Sequence, residues 1–132
     1  MTSEEFRRKL IEEKYLTKWT LSPWYWNVDG SVNVDGNVWI HEEMDRLPLK
    51  FKNVSGSFDT IYAKLKTLDG CPEIVGQWFR IETTIKDFVG FPKVIGTFLE
   101  LCGNWLSETD ECHVRREIEK ICNCKEFRFT YR

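Results

Sequence analysis

Four glycines spaced twenty residues apart constrain this chain more than any other feature of its sequence. They are Gly36, Gly56, Gly76 and Gly96, and each is flanked two positions away by a β-branched residue on one side and a large apolar residue on the other. Twenty residues hold a short strand, a turn and a return segment, which cannot bury their own apolar side chains. The period therefore predicts a small solenoid in which stacked repeats share one core.

The alternation around each glycine predicts which side chains face that core. Positions two before and two after a glycine lie on one face of an extended segment. The expected core therefore contains Val34, Val54, Ile74 and Val94, followed by Val38, Phe58, Trp78 and Phe98. Two further columns recur at Met44, Leu65, Ile85 and Trp105, and at Leu47, Leu68 and Phe88.

A second row of side chains should point away from the predicted core. It consists of Trp39, Asp59, Phe79 and Leu99, which follow the core positions directly. A row that faces water is normally polar, whereas three of these four residues are apolar. Either both faces of the strands are buried, or one face is an apolar binding surface.

The two ends of the chain differ from the repeats, as terminal caps of a repeat array do. Thr2 and Glu5 have capping-box spacing, which predicts a helix over about residues 3–15. After the repeats we expect a second helix and then an alternating strand over Lys125–Arg132. The chain is predicted to form a single domain, with residues 1–27 as a helix and aromatic cap, 28–106 as about four repeats and 107–132 as the C-terminal cap.

The order of the N-terminal helix and the segments DGSVNVDGNVWI, LPLKFKNVSGSFD and LKTLDGCPEIVGQWF resembles a group of short leucine-rich-repeat-like proteins of bacteriophages and prophages. The likeness extends from about Phe6 to Asn104. It implies a curved solenoid whose concave sheet binds another protein, and it implies no catalysis. The Asn-rich residues that follow the strand in such repeats are mostly absent here. The expected fold class is an α/β repeat protein, a small leucine-rich-repeat-like solenoid with short strands, capped by an N-terminal helix and a C-terminal helix plus strand.

Charge and apolar patterning exclude several classes of protein. The net charge of −2 does not suit a protein that binds mainly phosphate backbone, which needs a concentrated basic face. No run approaches the ~20 apolar residues of a membrane span, and the charged N-terminus has no secretory apolar region. Five cysteines, an odd number, favour a reduced intracellular chain with free thiols. With the resemblance, this predicts the cytoplasm of a bacterial host.

No pattern in the sequence is typical of an enzyme. His41 and His113 lie far apart in the repeat order, and the chain has no nucleophile-elbow, zincin or P-loop motif. The segment from Ser31 to Glu42 has the spacing of an EF-hand loop, but it lacks the first Asp and alternates like a strand. We therefore expect a protein that is not an enzyme.

The best potential metal ligands are Cys112, His113, Cys122 and Cys124. A C-x-C pair is unusual for structural zinc, and Cys122 fits a core position on the predicted helix. The favoured interpretation is therefore a set of structural or exposed thiols, and we expect neither a metal nor a cofactor.

The aromatic content, 14% of the chain, is high for this length, and Trp and Tyr serve interfaces as readily as cores. The segment WTLSPWYWN either covers the open end of the core or presents anchors to a partner. We predict a non-catalytic protein-binding module that, by the resemblance, is a phage-encoded inhibitor or modulator of a host protein such as a defence or transcription factor. The predicted partner-binding residues are Trp24, Trp26, Trp39, Asp59, Phe79, Arg80 and Leu99.

The alternative function is a nucleic-acid-associated accessory protein that uses aromatic and basic residues for stacking and charge. The short basic runs of the chain are interrupted by acidic residues, which is typical of a solvated helix face. Contacts with nucleic acid or membrane are therefore not favoured, and self-association stays open.

Overall fold

The computed structural model describes residues 2–82, 88–103 and 108–131, and for residues 108–111 and 131 the backbone alone. The helices are α1 (Ser3–Ile11), α2 (Thr17–Trp19) and α3 (Glu108–Glu119), with a π-helical segment, Glu12–Leu16, between the first two. The strands are β1 (Trp24–Trp26), β2 (Val32–Val34), β3 (Val38–Trp39), β4 (Phe51–Val54), β5 (Phe58–Asp59), β6 (Ile74–Val75), β7 (Phe79–Glu82), β8 (Val94–Gly103) and β9 (Asn123–Tyr131).

These nine strands belong to one mixed sheet. Its order is β1-β2-β4-β6-β8-β7-β5-β3, and β9 pairs with β8 outside this path. The β1–β2 pair is antiparallel, and the other pairs are parallel. The ten-residue strand β8 pairs with β6 near its start and with β7 near its end, so it joins two parallel ladders.

The predicted leucine-rich-repeat-like solenoid is wrong. The strands form one sheet, because β8 runs without interruption through both ladders. The antiparallel strand β1 at one end makes the sheet mixed. Within the described residues between β2 and β8, the segments that link the strands consist of turns and bends, so no helical layer faces the sheet there.

The glycine period appears in the strand pairing, but the spacing is not constant. Val38 pairs with Phe58, twenty residues on, and Phe58 pairs with Phe79, twenty-one residues on. Phe79 then pairs with Leu99, again twenty residues on. Because side chains alternate between faces, one additional residue moves the following positions to the opposite face. The buried row is therefore Val38, Phe58, Phe79 and Leu99.

The predicted core columns are accordingly right for the first two units and wrong for the next two. Val34 and Val54 are buried, but Ile74 and Val94 are exposed. Trp78 and Phe98 are only half-buried. The residues that fill the core in their place are Val75, Ile95, Phe79 and Leu99. Of the further columns, Leu47, Leu65 and Leu68 are buried, whereas Ile85 and Trp105 lie outside the described residues.

The ends of the chain form as predicted, with shifted boundaries. The Glu5 N–H donates to Thr2 Oγ1 at 3.1 Å, which caps α1, and the helical segment continues past residue 15 to Trp19. At the other end, Ile118 of α3 is buried and β9 runs parallel to β8. No helix in the described ranges has the length and apolar character needed to cross a bilayer.

Candidate protein-interaction surface

The seven residues predicted to bind a partner do not form one surface. Trp24 pairs with Val34 and Trp26 with Val32. Cross-strand partners share a face, and both valines are buried, so the two tryptophans lie on the core side of the sheet. Trp26 also donates its Nε1–H to Glu12 Oε2 at 3.0 Å. Trp24 and Trp26 therefore cover the open end of the core.

Phe79 and Leu99 are 0% exposed. They pair with each other across β7 and β8 in the buried row. A partner cannot reach either side chain in this structure, so the sequence interpretation placed them on the wrong face. The cause is the twenty-one-residue step between Phe58 and Phe79.

The neighbouring row of the sheet begins at Trp39 and continues through three charged residues. The strand pairs align Trp39 with Asp59, Asp59 with Arg80, and Arg80 with Glu100. We call Asp59, Arg80 and Glu100 the charged row. Arg80 Nη1 lies 3.2 Å from Asp59 Oδ2, and Arg80 Nε lies 3.0 Å from Glu100 Oε2. Thr130 Oγ1 donates to Glu100 Oε1 at 2.8 Å, which ties β9 to the same network.

The electrostatics of the charged row keep Arg80 ionised and neutralised within the chain. Burial lowers the pKa of Arg80, but the carboxylates of Asp59 and Glu100 raise it, and the net result is a pKa above the ordinary value. Asp59 is largely buried and also accepts from the Ile61 N–H at 3.1 Å. The row is therefore a structural ion-pair ladder across three strands.

An exposed aromatic cluster lies where this row begins. Trp39 is 51% exposed and Tyr62 is 56% exposed. The Trp39 and His41 rings lie 4.7 Å apart between centroids, and the Trp39 and Tyr62 rings meet edge to face at 6.4 Å. We call Trp39, His41 and Tyr62 the aromatic patch. The patch occupies the free end of the strand order, since β3 is its last strand.

An open cleft of about 420 Å³ adjoins the aromatic patch. Trp39 and His41 form one wall together with Asn37, and the segment 18–22 forms the other. Leu21 in that segment is fully exposed, and the His41 Nε2 lies 3.3 Å from the Lys18 carbonyl oxygen. A single peptide segment bound in the cleft would therefore contact both apolar side chains and the His41 ring.

The buried thiols of the chain are poor nucleophiles. Burial raises the pKa of Cys71 to about 12 and that of Cys122 to about 12. Burial also raises the pKa of Cys102, which lies beside Arg80. Nucleophilic catalysis requires a thiolate, and these environments disfavour it.

The residues considered as metal ligands have other roles or are dispersed. Cys122 is buried and Cys112 is exposed on α3. Glu42, the last position of the EF-hand-like segment, accepts the Nε1–H of Trp19 at 3.0 Å. Among the described side chains, no group of three or more His, Cys, Asp or Glu residues is arranged to hold a metal ion.

No protein-family model, curated protein or solved structure matches the chain. The sequence indicated Trp39 as a contact residue and His41 only as a possible catalytic base, and no pattern in it singled out Tyr62. The aromatic patch thus combines Trp39 with His41, two positions further along the same segment, and with Tyr62, which the fold brings to it.

Proposed function

We propose that this protein is a non-catalytic protein-binding module and that the aromatic patch is its contact surface. One observation carries the proposal: Trp39 and Tyr62 are both more than half exposed and touch each other beside an open cleft. Trp and Tyr are enriched among the residues that dominate binding energy at protein interfaces. Their burial by a partner would remove a large apolar area from water.

The surroundings of the patch favour a protein partner over nucleic acid. Arg80 is engaged by two carboxylates of the charged row. Lys64 Nζ lies 3.1 Å from Glu43, and Lys66 Nζ lies 3.4 Å from Asp45. These cations have acidic partners in the chain, whereas phosphate binding uses basic groups that release counterions. The phage origin and the inhibition of a host protein rest on the resemblance alone and stay predictions.

A capture experiment with matched variants tests the proposal. The tagged protein and its Trp39→Ser and Tyr62→Ser variants are incubated with bacterial lysate at several salt concentrations, and bound proteins are identified by mass spectrometry. Tyr25→Ser is the control, because Tyr25 is also an exposed aromatic residue, at 55%, but lies on β1. We expect a stoichiometric protein that the wild type and the control retain and that both patch variants lose.

Two results would contradict the proposal. One is a partner that all patch variants retain at wild-type level. The other is enrichment of nucleic acid that disappears steeply with salt, which would favour the nucleic-acid alternative. Circular dichroism of each variant separates loss of contact from loss of folding.

A further inference from the structure

The outer edge of β3 is open in the part of the chain that the structure describes. β3 pairs with β5 alone and is the last strand of the sheet order, whereas the outer edge of β2 is covered by β1. The N–H groups of Val38 and Ile40 each donate to a carbonyl oxygen of residues 57–59, at 2.8 Å and 2.9 Å, so these two residues face β5. Backbone groups of successive residues alternate between the two sides of a strand. Trp39 therefore directs its N–H and C=O to the open edge.

The opposite wall of the cleft, residues 18–22, touches the β3 segment at both of its ends and leaves the space between them open. At one end the His41 Nε2 lies 3.3 Å from the Lys18 carbonyl oxygen. At the other end Ser22 lies so close to Gly36 that a Cβ atom there would overlap the Ser22 side chain. Extended chain from residue 36 to residue 41 spans about 16 Å, which leaves room beside Trp39 for about three residues of a bound segment.

Lys18 supplies the charge of the cleft. Among the described residues that line the cleft, it alone carries a permanent charge, and it is exposed. None of the ion pairs between described side chains involves it. Glu42, just beyond the cleft in the chain, already accepts the Nε1–H of Trp19 at 3.0 Å. The next residue, Glu43, lies 3.1 Å from Lys64 Nζ. A carboxylate from another molecule is therefore the charge that complements Lys18.

A peptide backbone suits the open edge better than a phosphate group does. Trp39 offers one donor and one acceptor side by side, and an extended peptide presents both. A phosphate oxygen only accepts hydrogen bonds in its ionised form, so it would leave the Trp39 carbonyl unmatched. The half-exposed Trp39 ring and the fully exposed Leu21 add apolar surface that a side chain of the same peptide would cover.

We propose that the cleft binds a short extended segment of the partner protein that has an acidic residue and an apolar residue within about three positions of each other. The segment pairs with the N–H and C=O of Trp39, its carboxylate binds the Lys18 ammonium, and its apolar side chain covers the Trp39 ring. In strand addition of this kind, backbone hydrogen bonds provide affinity and side-chain contacts provide specificity. The inference rests on the proposed function, because it specifies the chemistry of the segment that the aromatic patch contacts.

Peptide selection tests this chemistry. The full chain is immobilised and incubated with an mRNA-displayed library of random short peptides, and the retained sequences are read. We expect enrichment of peptides in which Asp or Glu lies within about three positions of an apolar residue. Enriched sequences that are basic or wholly apolar would overturn the proposal, and so would a library without enrichment.

Charge reversal in the cleft tests the role of Lys18. The most enriched peptide is labelled, and its affinity is measured by fluorescence anisotropy. Lys18→Glu should weaken binding about tenfold or more, because it replaces the cation with an anion. Lys14→Glu is the control, since Lys14 is also exposed but does not line the cleft. Circular dichroism shows that each variant is folded, and equal affinities of Lys18→Glu and the wild type would overturn the proposal.

Backbone methylation of the same peptide tests the strand pairing. N-methylation of successive residues removes one N–H group at a time. We expect loss of binding at the residue whose N–H faces Trp39 and little change at its two neighbours, whose N–H groups point away. An equal effect at all positions, or no effect at any, would overturn the pairing with β3.

The lysate capture separates this inference from the proposed function. A partner that Trp39→Ser loses but Lys18→Glu retains at wild-type level would leave the aromatic patch as the contact surface and overturn the acidic segment. A partner that Trp39→Ser retains would contradict the proposed function itself. Loss of the partner from both variants is the result we expect.

Discussion

The row of residues that begins at Trp39 has two parts of different physical character. At its start the row is aromatic and about half exposed, whereas the next three positions are charged and paired with one another. Asp59, Arg80 and Glu100 satisfy their charges within the chain, so they contribute to the fold. Trp39 and Tyr62 retain apolar surface in contact with water, which a partner can bury. A position in a row therefore does not define a binding residue, because the contacts within the chain decide its role.

Substitution of Phe79 should have the largest effect on stability. Phe79→Ala removes a fully buried ring, and we expect the free energy of unfolding to fall by about 3–5 kcal/mol. Trp39→Ala, at a position that the sequence placed in the same row, should cost less than about 1 kcal/mol because the ring is half exposed. Urea denaturation of both variants measures the difference. Equal losses would mean that the assigned strand register is wrong.

Removal of Arg80 should have an intermediate effect. Arg80→Met leaves Asp59 and Glu100 without their cation, and we expect a loss of about 1–3 kcal/mol, since the Arg80 side chain is 32% exposed. Lys66→Met breaks the well-exposed pair with Asp45 and should cost less than about 0.5 kcal/mol. Urea denaturation measures both losses. Similar values for the two variants would show that the charged row is no more structural than a surface ion pair.

The free energy of unfolding should fall at alkaline pH because the Cys71 thiol is buried. Its pKa rises from 9.0 to about 12 on burial. The neutral thiol therefore contributes stability that is fully present below pH 9 and is lost as pH rises toward 12, at about 1.4 kcal/mol per pH unit. Denaturation at pH 8 to 10.5 should show a shallower pH dependence for Cys71→Val than for the wild type. Identical slopes would show that Cys71 is accessible to solvent.

The two ends of the chain could be predicted from local chemistry, whereas the single mixed sheet could not. Thr2 and Glu5 indicated the start of α1, and the alternation after Lys125 indicated β9. The prediction of which side chains face the core failed after the second unit, because one additional residue moves the following side chains to the opposite face of the sheet. The glycine spacing does not show the additional residue, because Gly56 and Gly76 are still twenty residues apart. The larger spacing was visible between Leu47 and Leu68, which lie twenty-one residues apart.

The glycines mark close approach between neighbouring segments. A Cβ atom at Gly76 would overlap the carbonyl oxygen of Ser55, and one at Gly96 would overlap that of Gly76. These positions require glycine whichever face the adjacent side chains take. The glycine period therefore predicts that the segments stack, but it does not predict which of their side chains face the core.

The candidate site was less predictable than the two ends of the chain. Trp39 stood out as an apolar residue next to a core position. Tyr62 lies in the segment after β5, and the pairing of β3 with β5 brings its ring to the Trp39 ring, whereas His41 follows Trp39 by two positions in the same segment. Arg80 was expected to bind the partner and not to form an ion-pair ladder with Glu100. Their alignment with Asp59 depends on the twenty-one-residue step, which the glycine columns did not reveal.

Site-specific photo-crosslinking tests the central claim most directly, and it should disturb stability least. A benzophenone amino acid replaces Trp39 in one variant and Tyr25 in another, since both positions are about half exposed. After irradiation in lysate, we predict one major protein adduct from position 39 and none of comparable yield from position 25. An adduct from position 25 in the absence of one from position 39 would contradict the assignment of the aromatic patch as the binding surface.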